Sequence, residues 1–387
     1  MRDLFLLDPG LIFLNHGSYG ACPREVFDDF QDWQREMERN PVEFLGRRSG
    51  ELLGAARERL ATHLGARSED LVFVTNATTG VNIVAQSLAL QPGDEVLATD
   101  HEYGACDAAW RVVCEKAGAH YRRATIPLPF DPAAFVETML AAATPRTKLI
   151  FVSHITSVTA LEFPLAALCA AARERGITTL VDGAHAPGQI ALDLSAVGAD
   201  FYTGNCHKWL CAPKGAAFLH VRSERQAEVQ ATVVSWGYVA EISGHTGFDA
   251  YAGRSVLERR LQWQGTRDIA AFLAVPTAID FQARHGWPGQ RARCHAMALD
   301  IQRRVLARNG LAPVAPDEVY AQMVTIPVRC SGEGSGDALR RRLFERHRIE
   351  VPVTQHGGHT FVRVSVQAYT TEADLAALED ALAEAGV

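Results

Sequence analysis

The stretch ITTLVDGAH, residues 177–185, is the clearest indication of the fold, because a short and mostly apolar run ends at an isolated carboxylate, Asp182. Further along, DFYTGNCHKWLCAPKG (200–215) has the same form, with a strand-like run that ends at Asn205 and is closely followed by Lys208. Short apolar runs of this kind are typical of the buried strands of a parallel sheet. Ligands of open α/β sheets bind beyond the carboxyl ends of the strands, so these polar residues are the first candidates for chemistry.

The same pattern extends outward on both sides of these two stretches. Strand-like runs recur at 70–75, 95–99, 120–126, 148–154 and 216–221, and helical segments separate most of them. This alternation predicts an α/β fold, with a mainly parallel sheet and helices on both faces. After residue 267 the pattern changes to long helices and a few strands. We therefore expect a large α/β domain at 46–267 and a smaller α+β domain built from 1–45 and 268–387.

The composition is that of an ordinary soluble globular protein and argues against several classes. The chain has 387 residues, a formal net charge of −7 and 48% hydrophobic residues. No basic stripe marks a nucleic-acid interface. The apolar run near the start is too short and too soon interrupted by charge for a signal peptide or a membrane helix. We expect a cytoplasmic protein whose partners are small molecules, without nucleic acid or membrane.

Cysteines and a histidine surround Lys208 and could suggest a metal site. Cys206 and Cys211 are close together, but the other cysteines are scattered and supply no second pair for a zinc site. We therefore expect free thiols and no metal. The chain has only four lysines among its 38 basic residues, and two of them are Lys208 and Lys214. A lysine amine can lose its proton and form a Schiff base, whereas a guanidinium cannot, so Lys208 is the candidate catalyst and Lys214 a turn residue.

Three strand ends together suggest a cofactor. NATTG, residues 76–80, either caps a helix or offers free N–H groups to a phosphate. Asp182 either caps the next turn or faces a positive partner such as a protonated pyridine nitrogen. Lys208 precedes an apolar pair, in surroundings that lower the pKa of an amine. Each feature is ambiguous alone, but the set favours pyridoxal 5′-phosphate.

Further motifs give this set a family resemblance. The chain resembles the class V aminotransferase superfamily of fold-type-I pyridoxal-phosphate enzymes over nearly its whole length. Besides the two stretches above, the matching segments are LNHGSYG (14–20), NATTGVN (76–82), FVSHITSVTA (151–160), VSWGY (234–238), GTRDI (265–269) and YTTEADL (369–375). Several features depart from the pattern of relatives: Asn205, where many relatives have serine; Ala160, where we expect glycine; His16, where a related enzyme has threonine; and the segment 354–360.

The resemblance implies how the cofactor would be bound. Lys208 would form the Schiff base and move the α-proton, and Asp182 would pair with the pyridinium nitrogen. Tyr103 would stack on the ring, although a core or surface tyrosine is the alternative. Ser157 and His185 would contact the phenolic oxygen. The phosphate would be held by Thr78, the backbone at Thr79, Asn205, His207 and Thr266 of the partner subunit, which implies a homodimer with a shared site.

The resemblance also indicates a substrate site. Arg363 would receive an α-carboxylate, which suits its forked guanidinium, whereas Arg363 alone would suggest only an edge-strand charge. His16 would line the substrate pocket. His356 and His359, in TQHGGHT (354–360), either belong to that pocket or lie in solvated loops.

The implied reaction takes place at the α-carbon of an amino acid or small peptide. Epimerisation is the first hypothesis, and a C–S lyase or cysteine desulfhydrase reaction, or transamination, stays open on the same residues. A persulfide-forming desulfurase would need a cysteine on a mobile loop, for which Cys330 is the residue to consider. A binding protein without activity is disfavoured, because Lys208, Asp182 and Arg363 are all present.

Overall fold

The computed structural model describes residues 1–243, 253, 255–329 and 335–387, so Cys330 lies outside the described residues. The strands are β1 (Ile12–Phe13), β2 (Leu71–Val74), β3 (Glu95–Thr99), β4 (His120–Ala124), β5 (Thr147–Ser153), β6 (Thr178–Asp182), β7 (Phe201–Asn205), β8 (Ala217–Val221), β9 (Met323–Val328), β10 (Ile349–Glu350), β11 (Val353–His356) and β12 (His359–Ser365). The helices are α1 (His16–Tyr19), α2 (Arg24–Arg39), α3 (Ser49–His63), α4 (Ala77–Ser87), α5 (Gly104–Ala117), α6 (Phe135–Ala142), α7 (Leu165–Glu174), α8 (Leu194–Val197), α9 (Trp236–Ser243), α10 (Val256–Leu261), α11 (Ala270–Leu273), α12 (Val275–Arg284), α13 (Trp287–Asn309), α14 (Ser335–His347) and α15 (Glu372–Ala385).

The large sheet is mainly parallel, as the sequence predicts. Within the described residues it has seven strands in the order β2-β8-β7-β6-β5-β3-β4, and only β8 runs antiparallel to its neighbours. Every residue of β5 except one, and every residue of β6 and β7, is buried. Strands buried on both faces need a helical layer on each side, and the apolar side chains of the sheet accordingly belong to two separate core clusters. The predicted α/β fold class is confirmed.

The chain outside this sheet folds around a second, three-stranded antiparallel sheet of order β11-β12-β9. Helix α13 packs on β9, and α14 packs on β11. The N-terminal segment joins this part, because β1 pairs in parallel with β10 and the Ser365 N–H donates to the Leu14 carbonyl over 2.9 Å. The division at residues 46 and 267 stays a prediction, since α3 also packs on α11 and α12.

The segment 354–360 is a hairpin rather than the loop that its histidines suggest. Gly357 and Gly358 have φ values of 55° and 79°. A two-residue turn with two left-handed residues matches the twist of antiparallel strands, and two glycines adopt it without strain. His356 and His359 are therefore cross-strand partners. The hairpin continues into Arg363, which the β12–β9 pairing holds opposite Thr325.

Candidate active site

A cavity of about 440 Å³ lies at the carboxyl ends of the central strands. Asp182 is the last residue of β6, Asn205 the last of β7, and Lys208 follows in the turn after β7. The parallel strands end at one edge of the sheet, so residues far apart in sequence meet there. Nine predicted site residues line this cavity: Thr78, Tyr103, Ser157, Asp182, His185, Asn205, His207, Lys208 and Arg363.

Lys208 is held among neighbours that favour its neutral amine. Its Nζ lies 3.2 Å from Nε2 of His185. Burial, followed by the charge of Arg363, lowers the pKa of Lys208 from 10.5 to about 7, while the charge of Asp182 opposes this shift. At neutral pH an amine with this pKa is present in comparable amounts as ammonium and as free base, so a substantial share can accept a proton.

His185 has a polar neighbour on each ring nitrogen. The indole Nε1–H of Trp209 donates to Nδ1 over 3.3 Å, while Nε2 faces Lys208. Burial, followed by the charge of Lys208 and then that of Arg363, places the pKa of His185 well below 6.5, so the ring is neutral. Sequence reasoning missed Trp209, because its apolar ring suggested only packing.

Asp182 is a buried carboxylate whose two oxygens have weak partners. Oδ1 accepts the Ala184 N–H over 2.9 Å, and Oδ2 lies 3.6 Å from the Cys106 thiol, which donates to it. Burial raises the pKa of Asp182, with the Ala184 hydrogen bond opposing the rise. A carboxylate with so little compensation gains from a cationic partner in the cavity, such as a protonated ring nitrogen.

Glu102 is a second buried carboxyl that the sequence analysis missed. It accepts hydroxyl hydrogen bonds of 2.6 Å from Thr99 and from Ser153, and Ser153 lines the cavity. Burial raises the pKa of Glu102 to about 8, and the charge of Asp182 contributes to the rise. Its place in the loop after β3, a strand of the parallel sheet, is the feature that could have predicted it.

The start of α4 offers donors to an anion. The Ala77 N–H donates to Oδ1 of Asn205 over 2.8 Å, which leaves the Asn205 NH₂ group as a donor at the cavity. In the described part of the chain, neither the N–H nor the hydroxyl of Thr78 has a protein partner. The expectation for Thr79 needs correction, because its N–H donates to the capping oxygen of Asn76 over 2.8 Å and is not free for a phosphate.

His207 presents an acceptor rather than a donor to the cavity. Its Nδ1 lies 3.0 Å from the Ala216 carbonyl, which can only accept, so Nδ1 carries the proton. Burial and then the charge of Lys208 lower the pKa of His207 to about 4, and the Ala216 hydrogen bond opposes them. The lone pair on Nε2 can serve a phosphate only after this ring gains a proton.

Arg363 is 4% exposed and its guanidinium reaches the cavity. Nη1 donates to the carbonyl of Ser157 and over 3.3 Å to its hydroxyl, and Nη2 donates to Ser18 over 3.0 Å. Nε has no hydrogen-bond partner in the described part of the chain. A buried guanidinium without a carboxylate partner is completed by an anionic ligand.

Besides Thr79, two predicted residues do not line this cavity. His16 is 0% exposed, and its Nε2–H donates to the backbone carbonyl of Lys208 over 3.0 Å while Nδ1 accepts from the Tyr369 hydroxyl over 3.0 Å. The expectation that His16 binds substrate is therefore corrected, because the ring instead anchors the peptide of Lys208. Thr266 is exposed and does not line the cavity.

Burial and hydrogen bonding within the protein account for the thiols near Lys208 and for the histidines outside the cavity. Cys206 and Cys211 are buried free cysteines. Asp100, His101 and His356 lie close enough to share a metal, but Nδ1 of His101 is bonded to the Thr159 hydroxyl over 2.7 Å and Nε2 to a carbonyl over 2.9 Å. Hydrogen bonding already accounts for that ring, and His356 packs against it at 3.8 Å between centroids.

Comparison with known proteins identifies the family of this chain. The family model for aminotransferase class-V matches residues 12–378. The chain belongs to the class V aminotransferase family. It is 42% identical over 384 residues to an isopenicillin N epimerase of Streptomyces clavuligerus, covering 98% of this chain and 96% of that protein. It is 29% identical to a probable chloroplastic L-cysteine desulfhydrase of Arabidopsis thaliana, covering 97% and 83%.

The fold recurs in solved structures of other proteins. A complex of the cystine C-S lyase C-DES with its product cysteine persulfide superposes with a TM-score of 0.81 at 22% identity, covering 97% of this chain and 98% of that one. Among the described residues, none of the helices combines the length and apolar character that a membrane span requires.

The class V enzyme described here uses pyridoxal 5′-phosphate, and its residues fit that cofactor. Asp182 would meet the ring nitrogen, Lys208 would hold the cofactor covalently, and Thr78 with the Asn205 amide would face the phosphate. The orphaned Nε of Arg363 and the unpaired donors of Thr78 are buried or half-buried groups that a ligand with carboxylate and phosphate ends would satisfy.

Proposed function

We propose that this protein epimerises the α-carbon of an amino acid or small peptide, with Lys208 moving the first proton. The observation that carries the proposal is the placement of a buried lysine amine, with its pKa lowered to about 7, in the same cavity as the guanidinium of Arg363. The similarity to an isopenicillin N epimerase along almost the whole chain supports epimerisation among the possible α-carbon reactions.

Different protein groups serve the cofactor and the substrate in this proposal. Pyridoxal phosphate, when bound, supplies the electron sink that makes the α-C–H bond acidic. Arg363 binds the substrate carboxylate, and its contacts with Ser157 and Ser18 fix that carboxylate relative to the lysine. Asp182 keeps the ring nitrogen protonated by giving it a buried counter-charge. Lys208 then accepts the α-proton at Nζ, because it is neutral and already within reach.

Inversion needs a second proton donor. We propose Tyr103, or a water that its hydroxyl holds, for this role. Tyr103 lines the cavity and is 46% exposed, so its phenol exchanges protons with solvent. His16 is unsuited, because both of its ring nitrogens are bonded within the protein.

The test follows proton and chirality together. Wild-type enzyme incubated in deuterated water with candidate amino acids and peptides should yield inverted product with deuterium at the α-carbon. Lys208→Ala should abolish exchange and inversion alike. Tyr103→Phe should keep exchange with retention while inversion falls by about 10²-fold, the size expected for loss of a general acid. Exchange and inversion that fall in parallel in Tyr103→Phe would reject its role as the second donor.

The second candidate is a C–S lyase of the cysteine desulfhydrase type, supported by the similarity over 97% of this chain to such a protein. The same incubation distinguishes it, because sulfide together with a keto acid rejects the epimerase. Transamination would be seen as keto acid without sulfide. A desulfurase has little support, since no cysteine of the described residues lines the cavity.

We also propose a homodimer in which Thr266 of the partner subunit contacts the cofactor phosphate. The exposure of this residue, away from the cavity of its own chain, supports that arrangement. Light scattering should give twice the 42.2 kDa chain mass, and Thr266→Ala should weaken cofactor binding without changing that mass. A monomer with full cofactor affinity would reject the shared site. The cytoplasmic location stays a prediction from the sequence.

A further inference from the structure

The hydrogen bonds around His185 determine where its proton lies. The indole Nε1–H of Trp209 can only donate, so Nδ1 of His185, 3.3 Å away, must present its lone pair. A neutral imidazole with a lone pair on Nδ1 carries its proton on Nε2. That proton points to Nζ of Lys208, 3.2 Å away, where it requires an acceptor. Lys208, when its amine is neutral, therefore accepts a hydrogen bond from Nε2–H of His185.

The opposite tautomer would have a different effect on the lysine. With the proton on Nδ1, two donors would face each other and a buried indole N–H would lose its partner, which costs free energy. Nε2 would then accept from Lys208 and stabilise the ammonium. The hydrogen bond from Trp209 thus favours one of two tautomers of His185. In the favoured tautomer His185 donates to the neutral amine of Lys208, and in the other it accepts from the ammonium.

The indole is itself fixed from several sides. Trp209 is 0% exposed, and the ring of His16 packs against it at 4.9 Å between centroids. Its backbone carbonyl accepts from the side chain of Gln282 over 2.8 Å. Gly188 packs so closely that a Cβ there would lie 2.4 Å from the same carbonyl. The indole N–H is therefore aimed by the fold and does not adapt to the imidazole.

We propose that Trp209 is a positioning residue that fixes the proton of His185 on Nε2, so that the imidazole donates into the cofactor site and never accepts from Lys208. The inference deepens the proposed function and rests on its assignment of Lys208 as the proton-moving amine. It adds a requirement at the position after the lysine that packing alone would not impose. A phenylalanine there would fill the space but leave Nδ1 without its donor.

Other charges act on the same amine and have to be held constant. Arg363 and His185 face Lys208 from β12 and from the loop after β6, while Asp182 and Cys106 face it from β6 and α5. Apart from the tautomer of His185, a substitution at Trp209 changes none of these groups. A change in the behaviour of Lys208 in Trp209→Phe can therefore be assigned to the imidazole.

The chain offers a matched control. Trp110 is also 0% exposed, but its indole nitrogen has no hydrogen-bond partner in the described part of the chain. Trp110→Phe therefore makes the same replacement of a buried indole by a phenyl ring in another part of the core, without the loss of an indole hydrogen bond.

The experiment measures the apoprotein by nuclear magnetic resonance. Imidazole ¹⁵N–¹H correlations report the tautomer of each histidine, with His185 assigned from the signal missing in His185→Ala. The ¹³Cε signals of the lysines, only four in this chain, report their titration, with Lys208 assigned from Lys208→Ala. Both readouts need neither cofactor nor turnover, so they can fail independently of the epimerase assignment.

We expect the Nε2–H tautomer at His185 in wild type and in Trp110→Phe. In Trp209→Phe the ratio of the Nε2–H to the Nδ1–H tautomer of His185 should fall about tenfold. The titration midpoint of Lys208 should rise by about one pH unit, which is a tenfold change in the ratio of ammonium to amine. In a His185→Ala background the Trp209 substitution should leave that midpoint unmoved. An Nδ1–H tautomer in wild type would overturn the proposal even if Trp209→Phe does not fold, as would unchanged tautomer and midpoint in a folded variant.

Discussion

The low pKa of Lys208 makes a quantitative prediction for Lys208→Met. The folded protein holds this group at a pKa of about 7, against 10.5 when the lysine is exposed to water. Because the folded value is lower, the unfolded chain binds the proton more readily, and stability rises with pH between 7 and 10.5. At pH 7 the shift corresponds to about 4 kcal/mol of destabilisation, and at pH 9 to about 2 kcal/mol. Methionine is unbranched and similar in length but carries no charge.

We therefore expect the apoprotein of Lys208→Met to be more stable than wild type near pH 7, by up to about 4 kcal/mol, with the difference shrinking by about 2 kcal/mol by pH 9. Urea unfolding at a series of pH values measures it. Lys148→Met is the control, because that side chain is 56% exposed and water already solvates its charge, so its effect should stay within about 0.5 kcal/mol. A difference for Lys208→Met that does not vary with pH would refute the reasoning.

Three further predictions concern separate parts of the molecule. Arg363→Ala should reduce kcat/KM by about 10²- to 10³-fold through loss of charge-assisted hydrogen bonds to the substrate carboxylate, and Arg363→Lys should recover part of the lost activity. Equal kcat/KM of the wild-type enzyme for substrates with and without the α-carboxylate would contradict this role of Arg363. His207 should take up a proton when phosphate binds, because its neutral ring, with Nδ1–H on Ala216, offers only a lone pair; calorimetry in buffers of different ionisation enthalpy should show this uptake for wild type and not for His207→Gln. Glu258→Ala should lower the free energy of unfolding by about 3 to 5 kcal/mol, because it leaves the buried charge of Arg57 without its carboxylate partner; Nη2 of Arg57 donates to Glu258 over 2.7 Å, and the two side chains are 6% and 5% exposed. A loss below about 1 kcal/mol by urea unfolding would reject this prediction.

The sequence predicts the sheet because local pattern and tertiary structure agree there. Buried parallel strands are short apolar runs, and their carboxyl ends are marked by polar residues such as Asp182 and Asn205. The hairpin before Arg363 was equally predictable, since the pair Gly357–Gly358 is a strong turn motif between segments of strand-like spacing. The histidines on either side drew attention to chemistry instead of to backbone conformation.

Site details that depend on hydrogen-bond direction are not readable from residue types. His16 belongs to a matching motif, yet its ring is buried against the peptide of Lys208, because the N-terminal segment folds back over the turn after β7. Thr79 has the right hydroxyl at the right helix end, but its N–H is already used by the Asn76 cap. His207 has a suitable position and a lone pair in place of a donor. In each case a hydrogen-bond partner outside the cavity determines whether the residue can donate to a ligand.

The N-terminal segment links the two functional ends of the cavity. Ser18 accepts from Arg363, while His16, two residues earlier, donates to the carbonyl of Lys208. The segment packs closely on the turn after β7, because a Cβ on Gly20, which has a φ of 72°, would lie 2.1 Å from the His207 carbonyl. A displacement that moves the carboxylate receptor must therefore also strain the peptide that carries the base. Since proton transfer is sensitive to small changes in the distance between base and α-carbon, this connection lets residues without direct contact to a substrate influence the position of the base.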